Sequence, residues 1–200
     1  MNIESAKYEA REILRIVSNI NGFEDFILGK NENFDIAQLF NKGIEYNCGC
    51  TKHVFWLKYG KYVFKVDICE DFSYCEKEYE IYKEAKKEGI GDLFAEISYI
   101  GDIFGKKAYA MEYARVSDDD VENDYYIKNS NNGMSENEII EMMDDMNSED
   151  VVLDLFEFYY PHNIIKVLNK FIQKNQINDF HPGNVGYINN RLVFIDYSGY

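Results

Sequence analysis

The chain has 200 residues, with 21 Lys and Arg against 36 Asp and Glu, giving a formal net charge of −15. That balance excludes a general nucleic-acid binder, because neutralising phosphates needs clustered Lys and Arg. With 46% hydrophobic and 16% aromatic residues and only two prolines, wholesale disorder, low complexity and collagen-like repeats are excluded too, and the length fits one domain or two small lobes.

The segment Met1 to Arg15 alternates charged and apolar residues without the hydrophobic stretch of about seven that a secretory leader needs. No window approaches the ~20 apolar residues of a membrane-spanning helix. The sequence therefore reads as soluble and cytoplasmic, with no membrane partner. Ile3, Ala6, Ala10, Ile13, Leu14 and Val17 recur at three and four, which predicts an amphipathic helix reaching Ile20 and ending at Asn21-Gly22. Cys48, Cys50, Cys69 and Cys75 match neither paired-doublet zinc spacing nor a disulfide framework, so reduced thiols are expected.

Four short segments rich in β-branched and aromatic residues follow: Val54 to Lys58, Tyr62 to Val66, Ile97 to Ile100 and Ala108 to Tyr113. The first two flank Tyr59-Gly60-Lys61, a hairpin-like connection. Between the second and third, Phe72 to Glu88 is charged and helical and stops at Gly89. The order is strand, strand, helix, strand, strand. Trp56, Phe55 and Leu57 read as strand core, not as a platform for stacked bases.

Ser117 to Asp150 holds twelve acidic residues and a single Lys128, a local net charge of −11. It reads as an insert or linker with one amphipathic helix, capped by Ser135 and running through Ile139, Ile140 and Met143. Asn129 to Gly133 reads as a turn. Because most of the charge lies here, the rest of the chain is only mildly acidic, and this segment is the surface a basic protein partner would meet. Val151 to Tyr160 is strongly apolar, and Ile164, Leu168, Phe171 and Ile172 mark another helix. The chain closes with strands Val185 to Ile188 and Leu192 to Ile195 around Asn189-Asn190. The predicted organisation is a helix with a small sheet and one key helix over residues 1–114, an acidic insert over 115–150, and a truncated helical part with a terminal hairpin over 151–200.

Chemistry concentrates at the carboxyl end, in Asn178-Asp179-Phe180-His181-Pro182-Gly183-Asn184 and, after the hairpin, Ile195-Asp196-Tyr197-Ser198-Gly199. An Asp, an Asn five residues later and a second Asp at the end of a hydrophobic strand supply hard oxygen donors, the kind that suit Mg²⁺. The same residue types also build ordinary Asx-rich turns. The D-x-H-x-G-N form and the following Asp resemble the catalytic and metal-binding segments of the protein-kinase-like superfamily, closer to its atypical and small-molecule kinases than to the H-R-D-L-x-x-x-N pattern of typical protein kinases. The resemblance implies an α+β, two-lobed fold with Asp179 as catalytic base, Asn184 and Asp196 as metal ligands, Tyr197-Ser198-Gly199 as the counterpart of the D-F-G tail, and His181 and Pro182 shaping the loop. It also implies ATP and Mg²⁺ as cofactors.

Upstream, Tyr62-Val63-Phe64-Lys65-Val66 resembles the V-A-I-K strand, which would make Lys65 the phosphate-positioning lysine that pairs with a Glu on the next helix. Among the glutamates around that helix, Glu78 shares a face with Cys75, Ile81, Tyr82 and Ala85, whereas Glu80 lies among charged neighbours. Glu78 is therefore the expected partner. Gly43 to Cys50 occupies the place of a phosphate-covering loop, with Gly43 and Gly49 six apart instead of G-x-G-x-x-G; an ordinary β-turn fits equally well. Met111, Glu112 and Tyr113 stand where a connecting hinge would meet adenine. The chain as given stops four residues after Asp196, so the usual activation segment is not matched.

Two functions fit. One is an ATP- and Mg²⁺-dependent kinase with a hydroxyl acceptor on a protein or small molecule. The other is a kinase-like binding protein, weakly active or inactive, that sequesters a basic partner through its acidic insert. His53, His162 and His181 share no ligand spacing, and turn or helix-contact roles are expected for the first two. No Ser-His-Asp or Cys-His nucleophile pattern is present.

Overall fold

The computed structural model describes residues 1–68, 71–116, 118–145 and 148–198, the stretches 118–120, 144–145 and 148–149 by backbone alone. The chain divides into two compact units, Met1–Glu80 with Glu96–Tyr113, and Ile81–Ala95 with Ala114–Tyr200. The class is α+β, as expected: an antiparallel sheet in the first unit and a mainly helical second one.

The first unit opens with helix α1 (Ile3–Val17), capped by the Asn2 side chain accepting from the Ser5 amide at 3.1 Å. Its buried face, Ala6, Ala10, Ile13 and Val17, is the predicted apolar stripe. Two short helices follow, α2 (Phe23–Ile27) and α3 (Ala37–Phe40). The five-stranded sheet has the order β1 (Ile44–Cys48), β2 (Lys52–Leu57), β3 (Tyr62–Asp67), β5 (Lys106–Glu112), β4 (Ile97–Ile103), every pair antiparallel.

Side chains alternate across a sheet, and the register sorts them sharply. Phe55 pairs with Phe64, Phe64 with Ala110, and Val66 with Ala108. All five belong to one buried cluster with α1 and α2, including Ile13, Phe23 and Ile27. The intervening residues point the other way. Lys52 pairs with Asp67, Val54 with Lys65, and Lys65 with Tyr109, and this second face receives the first turns of helix α4 (Tyr74–Lys87), where Tyr79 lies 5.8 Å from Tyr109. One face is a dry core, the other carries charge.

In the second unit the acidic stretch is far more helical than a single amphipathic helix: α5 (Asp118–Asn131), α6 (Glu136–Asp145) and the start of α7 (Ser148–Tyr159). Val121, Tyr125 and Asn129 are buried at four-residue spacing on α5, as are Ile139 on α6 and Val152, Leu155 and Phe156 on α7. Acidic residues at a helix amino terminus also suit its dipole, which the Asp118-Asp119-Asp120 run supplies in sequence. The expected turn begins only after Asn131, at Asn132-Gly133. Ser135 caps α6 as expected, its Oγ and amide both bonded to the Glu138 carboxylate.

Helix α8 (His162–Asn175) buries Ile165, Leu168, Phe171 and Ile172. Strands β6 (Val185–Ile188) and β7 (Arg191–Phe194) form the terminal hairpin, with Asn189 and Asn190 both at positive φ, the geometry asparagine tolerates in a two-residue turn. The core of this unit is aromatic. Phe194 stacks on Phe156 at 4.3 Å, and Phe94 meets Phe171, Phe194 and Tyr197 at 5.0–5.7 Å. Among the described residues no helix is long and apolar enough to cross a membrane.

Candidate functional site

The second unit gathers Asp179, Asn184 and Asp196 through the side chain and the carbonyl of one residue, Asn184. Asn184 ends the 3₁₀ turn Pro182–Asn184, which His181 caps by accepting from the Gly183 amide at Nδ1, 3.1 Å away. Proline at the first position of that turn sets its φ. The Asn184 side chain then donates from Nδ2 to the Asp179 carbonyl at 2.9 Å. Its own carbonyl accepts from the amides of Ile195 at 2.9 Å and Asp196 at 3.5 Å. One buried asparagine thus ties the loop that begins at Asp179 to the segment that carries Asp196.

That segment is anchored from below. The Ala95 amide donates to Phe194 O at 2.8 Å, and the Tyr197 hydroxyl donates to Ala95 O at 3.1 Å. Tyr197 is fully buried, so it holds the backbone of Asp196 as a packed aromatic anchor. The Ser198 hydroxyl reaches Asp196 Oδ1 at 3.4 Å. Gly199 lies outside the described residues. Asp179 is half-exposed, with His181 Nε2 3.7 Å from its Oδ1. Because His181 Nδ1 accepts a hydrogen bond, its neutral form carries the proton on Nε2, facing that carboxylate.

With Nδ2 of Asn184 committed to the Asp179 carbonyl, its Oδ1 and the Asp196 carboxylate are hard oxygen donors of the kind a divalent cation takes. That donor set fits Mg²⁺, which binds few protein groups and keeps its waters. Among the described residues no group of three or more His, Cys, Asp or Glu could hold a metal by itself.

In the first unit Lys65 and Glu78 form an ion pair, with Lys65 Nζ 3.0 Å from Oε2 and 3.2 Å from Oε1 of Glu78. Glu78 is 0% exposed and Lys65 5%. A third member, unforeseen in the sequence, is Lys52, 3% exposed, whose Nζ lies 2.7 Å from Glu78 Oε1. Beside them Asp67 caps α4, accepting from Ser73 Oγ at 2.6 Å and from the Cys75 amide at 3.0 Å. Burial pushes the Cys75 thiol up, and the nearby Glu78 and Asp67 carboxylates add to this against Lys65 and Lys52.

The stretch Gly43 to Cys50 is a strand flanked by glycines, not one loop. Gly43, at φ +74°, precedes β1, whereas Gly49 lies in the turn beyond its far end and donates to Lys52 O at 3.2 Å. Only Gly49 belongs to the β1–β2 turn. Met111 is buried near the end of β5, while the amides of Glu112 and Tyr113 donate to the carbonyls of Glu96 and Lys61. Those two backbone donors are therefore engaged inside the sheet unit.

Two further expectations change. His53 is no turn residue: it sits on β2, buried, accepting or donating at Nδ1 with the Tyr46 hydroxyl at 2.8 Å and lying 5.0 Å from the Phe26 ring. Trp56 is half-buried, 6.1 Å from Tyr113, whereas Phe55 is core and Leu57 packs against the same buried cluster. Cys48 and Cys50 are exposed free thiols and Cys75 a buried one; Cys69 lies outside the described residues.

No family model matches the chain. No curated protein matches it either. Among solved structures it is similar to the streptomycin–ATP–APH(2")-IIa ternary complex, with 16% identity, a TM-score of 0.37, and coverage of 84% of this chain and 71% of that one.

Proposed function

We propose that the protein is an ATP- and Mg²⁺-dependent phosphotransferase of reduced kinase-like fold, with a hydroxyl group on a protein or small molecule as acceptor. The observation that carries this reading is the bonding of Asn184 to Asp179 on one side and to the Asp196 backbone on the other. The buried Lys65–Glu78 pair on the charged face of the sheet supports it independently.

In this reading Asp179 orients the acceptor and takes its hydroxyl proton. The acceptor oxygen forms a bond to the terminal phosphorus of ATP as the bond to the departing ADP oxygen breaks. Lys65, held by Glu78, neutralises phosphate charge. Asn184 Oδ1 and the Asp196 carboxylate would hold Mg²⁺, which supplies further neutralisation of the transferred group. Gly49, in the turn beside the charged face, allows close approach of backbone to phosphate.

The test is transfer of labelled terminal phosphate from ATP, to the protein itself or to hydroxyl-bearing acceptors, with Mg²⁺ or Mn²⁺. Asp179→Asn and Asp196→Asn should each abolish transfer while melting behaviour stays that of the parent. A wild-type protein that neither binds nucleotide nor transfers phosphate overturns the reading.

A further inference from the structure

Lys52 has no part in the Lys–Glu pairing that the sequence resemblance implies, yet it is buried as deeply as Lys65 and reaches the same carboxylate. Its position follows from the fold. The register sets Val54 opposite Lys65 and Lys52 opposite Asp67, so Lys52 and Lys65 emerge on one face of adjacent strands. Glu78, on the first turns of α4, lies over both: Oε1 is 2.7 Å from Lys52 Nζ and 3.2 Å from Lys65 Nζ.

Two ammonium groups converging on one oxygen repel each other, and withdrawing them from water is costly for each. Glu78 offsets part of this. A polyphosphate carries several negatively charged oxygens over adjacent groups, and two ammonium groups that share Glu78 Oε1 on one face of adjacent strands are placed to meet such a group together. Lys52 is also the residue that closes the Gly49 turn, since its carbonyl accepts the Gly49 amide at 3.2 Å. The turn and the second lysine are therefore parts of the same few residues of chain.

We infer that Lys52 is a second phosphate-contacting lysine of this site, working beside Lys65 on their common partner Glu78. The inference rests on the phosphotransferase reading above and adds to it: the site is built for a nucleoside di- or triphosphate, with two cations from neighbouring strands where the resemblance supplies one. Each lysine can keep Glu78 paired when the other is removed, so neither deletion alone leaves a bare buried carboxylate.

Calorimetric titration of the full chain with ATP, ADP and adenosine decides this, using wild type, Lys52→Met, Lys65→Met and the double variant, each titrated at a temperature below its own cooperative melting transition. Lys52→Met should weaken ATP and ADP on the order of 10- to 100-fold, the range for lost charge-assisted hydrogen bonds, and leave adenosine unmoved. Lys65→Met should retain some preference for ATP over adenosine, and the double variant should have none. Lys52→Gln, which keeps a donor to Glu78 but no charge, should behave like Lys52→Met and serves where the methionine variant does not fold. Wild-type affinity for ATP in the Lys52 variants, or parallel loss of ATP and adenosine, overturns the role of Lys52 while the phosphotransferase reading stands. A wild-type protein that binds ATP no better than adenosine overturns both.

Discussion

The Asn184 side-chain amide donates to the backbone carbonyl of Asp179 at 2.9 Å, which makes an asparagine, and not just an oxygen donor, necessary at this position. A metal ligand alone would tolerate a carboxylate. Asn184→Asp removes the donor and sets a carboxylate oxygen against the Asp179 carbonyl in a buried place. The expected destabilisation is about 1–3 kcal/mol, the penalty for leaving a buried acceptor facing the wrong partner. Urea denaturation of Asn184→Asp against wild type measures it; equal midpoints and slopes would show that the bond to Asp179 contributes nothing.

Glu78 is the carboxylate that two lysines depend on, and the cost of losing it differs from the cost of losing either lysine. Glu78→Gln leaves Lys52 and Lys65 buried without their shared negative charge, and breaking a buried pair from one side typically costs 3–5 kcal/mol. Lys52→Met leaves Glu78 with Lys65 and should cost less. Denaturant unfolding of both variants side by side tests the ranking, and a Lys52→Met loss as large as that of Glu78→Gln contradicts it.

Much of this arrangement was legible because it follows from periodicity. The three-and-four spacing marked α1 and α8, and choosing Glu78 by its shared face with Cys75 and Ala85 selected the glutamate that meets Lys65. Lys52 was also within reach: period-two alternation puts it on the side of Val54, hence beside Lys65 once the hairpin register is known. What hid it was β1, whose Glu-Tyr-Asn-Cys composition lacks a strand-like run and reads as a loop between glycines. The acidic stretch misled for a related reason. Charge dominates its composition, whereas the residues that pack α5, Val121, Tyr125 and Asn129, are few and widely spaced. The hydrogen bonds of Asn184 could not be read at all, since the partners of its side-chain amide and of its carbonyl are backbone groups that every sequence shares.

Gly186 on β6 is required by space. A Cβ there would meet Ala114 Cβ and Arg115 O, both at 2.9 Å, where Arg115 and Tyr187 exchange backbone hydrogen bonds at 3.0 and 2.9 Å. Gly186→Ala must push the hairpin away from that segment, and overpacking of this kind costs about 1–3 kcal/mol. Its melting temperature should fall accordingly, and because β6 follows directly on Asn184, ATP affinity should weaken with it. An unshifted melting temperature would mean the segment yields freely.

The cysteines should separate by reactivity. Cys48 and Cys50 are exposed, whereas Cys75 is buried and its thiol is pushed up by burial and by Glu78 and Asp67, which depletes the reactive thiolate. Iodoacetamide at mildly alkaline pH should alkylate Cys48 and Cys50 in the native protein and reach Cys75 only in denaturant. Peptide mass spectrometry reads each site; native alkylation of Cys75 at the rate of the other two would contradict its burial.

Stability should also depend on His53 below neutrality. Burial, reinforced by the charge of Lys106, lowers its pKa from 6.5 to about 4. The folded protein therefore holds His53 neutral where the unfolded chain would protonate it. Above the unfolded value neither state binds the proton, and the contribution is fully present; as pH falls from about 6.5 towards 4 the unfolded state takes up the proton first, and stability is lost, by at most about 3 kcal/mol. Below the folded value both states are protonated and the loss stops. His53→Gln keeps a polar group beside the Tyr46 hydroxyl without titrating, so its unfolding free energy should fall less steeply than that of wild type between pH 6.5 and 4. Parallel curves for the two proteins across that window would remove His53 as the source of the acid sensitivity.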